Sequence, residues 1–309
     1  MRRQVAGMVA GVILACLSGR GQDSKDPAGT WAALMDAGKA AMEKRQYAEA
    51  EKDFRDAVST AERIGEKDAR LAGALLFLAQ ACDAESKRDE AEILAKRAVE
   101  AMEKAFKAVK SKKAEEQFIQ GDAACLTSDK AADIFAAHQK YADAEFLYRR
   151  VIKIRVDMAV EKPTPQNNED YFRWLIQVTS DAKSKLAFAN EKLGNLYFTE
   201  RKYPEAAAVY EEALRSRASD QSTNPRVLAQ TLTNLASCYA AQGKYDQSEP
   251  LYQRALAVLE QAQWAEKPET ITTLQMYALM LKKAGRHEEA KAMIEKADAI
   301  KNKLSQNAP

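Results

Sequence analysis

Units of sequence set 42 residues apart recur in the last third of this chain, and weaker copies precede them. The clearest reads Leu232-Thr233-Asn234-Leu235-Ala236-Ser237-Cys238-Tyr239, then Gly243-Lys244-Tyr245, then Ser248-Glu249-Pro250-Leu251-Tyr252 and Ala255. A repeat of that length is one supersecondary unit that buries its apolar face only against its neighbours. It therefore constrains the fold more than any other feature.

Aligning each unit on the small residue of its second helix gives Ala50, Ala91, Ala144, Ala206, Ser248 and Ala290, with steps of 41, 53, 62, 42 and 42 residues. Three residues earlier stands Tyr47, Tyr141, Tyr203, Tyr245 or His287, with Arg88 in the second unit. Four residues after the anchor comes Phe54, Ala95, Tyr148, Tyr210, Tyr252 or Ile294. Three further on comes Ala57, Ala98, Val151, Ala213, Ala255 or Ala297. Positions spaced by four and seven share one helix stripe, and alternating small and large residues lets helices approach closely. Leu193-Gly194 with Tyr197, and Leu235-Ala236 with Tyr239, form the same kind of face on a first helix. Gly243-Lys244 and Gly285-Arg286 punctuate the pairs, and Pro225 and Pro268 stand where the next first helix begins. No alternating strand pattern of useful length occurs.

In these residues the chain resembles a tetratricopeptide-repeat protein, and its 42-residue spacing is similar to the longer repeat of kinesin light chains, a subtype also found in bacterial proteins. The resemblance covers Trp31 to Leu304 and is strongest from Leu186 onward. It implies an all-α fold, a right-handed α-solenoid of about six helix pairs whose concave groove binds peptides or proteins. It carries no kinesin-like role, because the repeat travels without its host's function. Ala50, Ala91, Ala144, Ala206, Ser248, Ala290, Tyr197, Tyr239 and Tyr252 would then be packing positions. Gln80, Asn195, Thr233, Asn234 and Gln275 match groove-lining places, where an amide can bond a peptide backbone in both directions. Each is equally readable as an ordinary polar surface residue.

Two steps exceed the period, by about 11 and about 20 residues. The first surplus includes Lys104–Gln117, whose Lys, Glu and Ala read as a long exposed helix. The second, over 156–185, holds Pro163 and Pro165 in a loop and then Tyr171-Phe172-Arg173-Trp174-Leu175-Ile176. That aromatic stretch reads as an added helix packed on the solenoid or as a partly exposed contact site. The strong repeats span 186–304 and the weaker ones 31–155, with a tail at 305–309.

The N-terminus carries the second constraint. Met1-Arg2-Arg3 precedes apolar Val5 to Ala15, too short to span a membrane and suited to a secretory signal over 1–15. It ends in Ile13-Leu14-Ala15-Cys16, which resembles the bacterial lipobox, whose cysteine is lipidated. Residues 16–30 would then form the lipidated Cys16 and a flexible tether, placing an exported lipoprotein on the periplasmic face or the outer membrane. Ordinary cleavage after Ser18 or Gly21, giving a secreted or periplasmic chain, and an uncleaved anchor stand beside that reading.

Composition narrows the function classes. Basic residues number 47 and acidic ones 45, a net charge of +2, so no basic footprint for nucleic acid is present. Cys82, Cys125 and Cys238 fall in or near packing positions and read as unpaired buried thiols. No CxxC, phosphate loop, nucleophile elbow or HExxH occurs, and His138 and His287 have no metal-ligand spacing around them. The reading is a non-catalytic, membrane-tethered scaffold for protein–protein interaction, without cofactor or metal. The alternative is a structural or self-associating solenoid whose groove is unused.

Overall fold

One backbone turn, repeated six times, sets the architecture. The computed structural model describes residues 26–65, 68–109, 114–160, 169–218 and 224–306, with side chains placed outside 109–120 and 157–182. Five residues before each anchor stands a residue in the left-handed region: Arg45, Ser86, Gln139, Arg201, Gly243 and Gly285, with φ of 59°, 63°, 62°, 60°, 75° and 79°. The N–H of the residue that follows then reaches a carbonyl five back, as in Lys87 to Cys82 (2.8 Å), Lys202 to Tyr197 (2.8 Å) and Arg286 to Leu281 (2.9 Å). This closure satisfies the orphan carbonyls of the first helix and reverses the chain into the second. Sequence reading found only the two glycine versions, because glycine adopts this conformation without steric cost.

The helices pair in chain order. Unit 1, Met1–Thr164, holds α1 (Pro27–Glu43) with α2 (Tyr47–Ile64), α3 (Ala69–Ala84) with α4 (Arg88–Val109), and α5 (Ala114–Ala137) with α6 (Tyr141–Val160). Unit 2, Pro165–Pro309, holds α7 (Glu169–Thr199) with α8 (Tyr203–Ala218), α9 (Pro225–Ala241) with α10 (Tyr245–Gln261), and α11 (Pro268–Lys283) with α12 (His287–Gln306). Among the described residues there is no strand, so the all-α solenoid fold of about six pairs holds.

Helix starts follow local chemistry. Asp26 accepts from the N–H groups of Ala28 and Gly29, Asp68 from Arg70, and Asn224 from Arg226. Pro27, Pro225 and Pro268 occupy first-turn positions, where a missing N–H loses nothing.

Boundaries differ from the expected ones in two places. Helix α1 begins at Pro27, inside the stretch expected as tether, because Asp26 caps it there. The expected helix Lys104–Gln117 is described only up to Val109, in α4, and from Ala114, in α5; residues 110–113 lie outside the described residues. The segment after the proline loop is not a separate helix; α7 runs unbroken for 31 residues into the fourth pair. The side chains of Tyr171–Ile176, the loop Pro163–Asn168 and Cys16 all lie outside the described residues.

The anchors Ala50, Ala91, Ala144, Ala206, Ser248 and Ala290 are all buried, between 0 and 4 % exposed. Above them the aromatic of the second helix lies directly on the first. A Cβ on Gly38 would meet the Phe54 ring at 2.5 Å, and one on Gly194 would meet the Tyr210 ring at 2.8 Å. Tyr197 and Tyr252 are buried in the same core, while Tyr239 is half-buried with its hydroxyl donated to Glu211.

Three of the four junctions inside the units share one charged tie. There the residue after the anchor is an acid, and it bonds the cation that follows the next left-handed turn: Glu51 with Lys87 (2.5 Å), Glu92 with Lys140 (2.5 Å) and Glu249 with Arg286 (2.6 Å); at the fourth junction Ala207 holds that place. The Lys87 ammonium, with Arg55 beside it, holds Glu51 down at about 2.

Candidate functional site

The expected amide positions sort into three environments. They are best followed in unit 2, where Asn195, Thr233, Asn234 and Gln275 all lie; Gln80, half-buried on α3, belongs to unit 1.

Asn195 and Asn234 come together on a buried phenol. The Tyr210 hydroxyl, on α8, donates to Asn195 Oδ1 at 2.5 Å, and the Asn234 side chain stands beside the same hydroxyl. Asn234 Oδ1 also accepts from Gln230 Nε2 at 2.8 Å. Tyr210 is 1 % exposed, and burial holds its phenol well above the ordinary range, so it stays a donor. Asn195 is exposed and Asn234 half-buried. Two amides from successive first helices are thereby fixed in orientation with hydrogen-bonding capacity left over, since each carboxamide offers two donors and two acceptor lone pairs.

The same arrangement recurs. Tyr148 donates to Asp133 Oδ1 at 2.7 Å, and the Tyr252 hydroxyl and Ser237 Oγ lie 2.9 Å apart. Each pair is 15 residues apart, so a polar residue on the first-helix face is held by the phenol beneath it. The sequence signal was present: a tyrosine four after the anchor, with Asp, Asn or Ser 11 before it.

Thr233 and Gln275 occupy another place. Thr233 is 3 % exposed, and its hydroxyl lies 3.1 Å from that of Thr273 on α11. It is a spacer between α9 and α11, and its hydroxyl faces inward. Gln275 stands 42 residues later in the same register, yet it is exposed because no further pair follows it among the described residues. Around the amides the first-helix face exposes Phe188 with Lys192 over its ring at 5.3 Å, Phe198, Met276 and Leu279.

Sequence reading missed two clusters in unit 1. His138 lies between Glu92 (Nδ1 to Oε1, 3.0 Å) and Asp83 (Nε2 to Oδ1, 2.7 Å), with its side chain 4 % exposed. Burial opposes the charge on Glu92, but Lys140 and His138 prevail and keep its carboxyl below the usual range. His138 stands 46 residues from Glu92 and 55 from Asp83, so no local motif could announce the cluster. Glu51, Cys82 and Glu90 bring ligand-type atoms within 4.8 Å of one another. Arg55 and Lys87 already bond both carboxylates, and burial first, then Glu51, pushes the Cys82 thiol up to about 11. That chemistry is an ion-pair cluster around a neutral thiol and fits a metal poorly. Cys82, Cys125 and Cys238 are all buried, and the Cys125 thiol points to the Val151 carbonyl. No described helix is long and apolar enough to cross a membrane.

Comparison with known proteins agrees with this geometry. The tetratricopeptide-repeat family model matches residues 227–303, which are α9 to α12. The solved structure of BtubC (BKLC) from P. vanneervenii is similar at a TM-score of 0.55 and 21 % identity, over 77 % of this chain and 84 % of that one. A putative kinesin light chain of Podosopora anserina with nearly identical TPR-like repeats is similar at 0.53 and 17 %, over 77 % and 98 %. Acl4, an assembly chaperone of RpL4, is similar at 0.51 and 16 %, over 88 % and 96 %. No curated protein matches the chain. These likenesses establish a tetratricopeptide-repeat fold.

Proposed function

From that fold, we propose that the chain is a membrane-tethered, non-catalytic adaptor that binds another protein or a peptide in the bacterial cell envelope. The observation that carries the binding role is the pair Asn195 and Asn234 beside one buried Tyr210 hydroxyl, the first held by that hydroxyl and the second by Gln230, on the open face of unit 2. Fixed amides lower the ordering cost of receiving an extended backbone, and the exposed Phe188, Phe198, Met276 and Leu279 offer apolar seats for its side chains. Acl4 is named for attending another protein, which is the kind of task proposed. The polar groups of the face serve orientation, and the clustered acids elsewhere are neutralised by Arg and Lys partners.

The tether rests on Ile13-Leu14-Ala15-Cys16. Each buried methylene of an attached chain contributes about 0.8 kcal/mol, and more than one chain is needed for durable attachment. Residues 17–26 would reach at most about 35 Å before α1, so the repeats would work near the bilayer surface.

The two halves are tested separately. Crosslinking in intact cells followed by mass spectrometry compares wild type with the double substitution Asn195→Ala/Asn234→Ala. Loss of specific crosslinked partners is expected, and equal capture of the same partners sinks the groove role. Fatty-acid labelling of wild type and Cys16→Ala reads the anchor: no Cys16-dependent label would end the lipoprotein reading and leave the binding role standing.

A further inference from the structure

Among the described residues, the first helix of unit 1 and the last pair of unit 2 expose faces that the junctions inside each unit bury. Within each unit, a first helix meets the preceding pair through residues 17, 13 and 10 before its anchor. In α9 these are Thr231, Leu235 and Cys238, and in α11 Thr273, Tyr277 and Met280, all between 0 and 6 % exposed. The same positions are buried in α3 and α5. In α1 they are Ala33, Ala37 and Ala40, and all three are exposed.

The receiving face shows the same reversal. Four residues after the anchor, Phe54, Ala95, Tyr210 and Tyr252 are 0 to 1 % exposed. The first helix of the next pair covers them; the Phe54 and Phe77 rings, and the Tyr252 and Tyr277 rings, lie 5.4 Å apart. The equivalent Ile294 on α12 is 46 % exposed. Leu279, which holds the register of Ser237 beside Tyr252, is 50 % exposed. Gln275 is open as well, where Thr233 meets the next pair.

We propose that copies of this chain stack head to tail, α1 of one copy docking on α11 and α12 of the next as a first helix docks on the pair before it. The occupant follows from the chain's own junctions: inside each unit a first helix covers the residue at the Ile294 position, and among the described residues α1 is the first helix whose docking face is open. Alanines at its contact positions permit close approach onto the bulkier Leu279 and Ile294. Each rim carries both signs, with Lys291 beside Glu295 on α12 and Asp36 beside Lys39 on α1, so net charge does not oppose the contact. Such a contact joins two different faces, so it leaves an open end at each step and grows with concentration.

The test uses the full chain in analytical ultracentrifugation, with Ala37→Arg to block the head and Ile294→Arg to block the tail. Both sites are exposed, and Ala40→Arg and Leu279→Arg provide second versions should either variant lose its helical circular dichroism. Wild-type mass is expected to rise with concentration beyond a dimer, while each variant alone stays at one chain mass of 34.3 kDa. Mixed, the two variants retain one intact head and one intact tail, and form a 1:1 complex of twice that mass. Wild type that stays monomeric to near-millimolar concentration overturns the proposal, as does a mixture that forms no complex. Self-association of the Ile294→Arg variant alone would assign a head-to-head contact, and that of the Ala37→Arg variant a tail-to-tail one; either result also overturns it.

Discussion

Gly194 and Gly73 both sit inside helices, and the same substitution should move their stabilities in opposite directions. In a helix interior, Gly→Ala is worth about 0.8–1 kcal/mol in favour of alanine, because the unfolded chain loses less freedom. At Gly73 nothing lies within 4 Å of the new Cβ, so the full gain should appear. At Gly194 the Cβ would stand 2.8, 2.9 and 3.0 Å from three atoms of the Tyr210 ring, which real contacts essentially never reach. Tyr210 is 1 % exposed and has little room to retreat. Moving it forces overpacking, about 1–3 kcal/mol, and weakens its bond to Asn195, about 0.5–1.5 kcal/mol. After the helix gain is subtracted, Gly194→Ala should destabilise by about 1–3 kcal/mol, against about 1 kcal/mol of stabilisation for Gly73→Ala. Thermal unfolding by circular dichroism reads this as midpoints that move apart, by about 2–4 °C for each kcal/mol. Replacing Tyr210 by Leu in the Gly194→Ala background should cost less than in wild type, since the clash is then relieved. If Gly194→Ala stabilises the chain as Gly73→Ala does, the packing of aromatic on glycine is wrong.

The left-handed turns predict that Ser86→Gly and Arg201→Gly each stabilise by about 1 kcal/mol, while Gly243→Ala destabilises by a similar amount, read as shifts of the unfolding midpoint. Glu51 titrates at about 2 in the folded chain, well below its ordinary 4.5, chiefly through the Lys87 bond. A depressed carboxylate contributes stability above its unfolded pKa and loses it as pH falls, so acid unfolding of wild type should steepen between about 4.5 and 2. Lys87→Met should flatten that slope in an acid titration followed by circular dichroism. Burial pushes the Cys82 thiol up to about 11 and that of Cys238 to about 12. Both should react with Ellman's reagent at pH 8 only as fast as the chain opens; rapid labelling without denaturant would contradict their burial.

The periodicity of small and large residues was legible because it is local: anchor, aromatic and alanine fall on one stripe of one helix. The positions of all six anchors follow from it. Four of the six turns were illegible, since Arg45, Ser86, Gln139 and Arg201 accept the left-handed conformation only because the surrounding helices impose it. The unbroken α7 was hidden by its departure from the period. The amide face was half legible. Asn195 and Asn234 match the repeat's groove positions, but Thr233 turns inward because Thr273, 40 residues away, lies against it.

The sequence by itself determined an all-α array of about six helix pairs, its packing stripe and its buried thiols, because each depends on contacts within a pair or at a recurring spacing. Only the tertiary structure decided which polar groups work together. Tyr210 stands beside amides of two repeats, His138 lies between carboxylates from two other helices, and Ile294 and Ala37 are open while their counterparts are closed. The physical reason is that a residue's exposure in a stacked array depends on what lies beside it in the next repeat, which a period read along one chain does not contain.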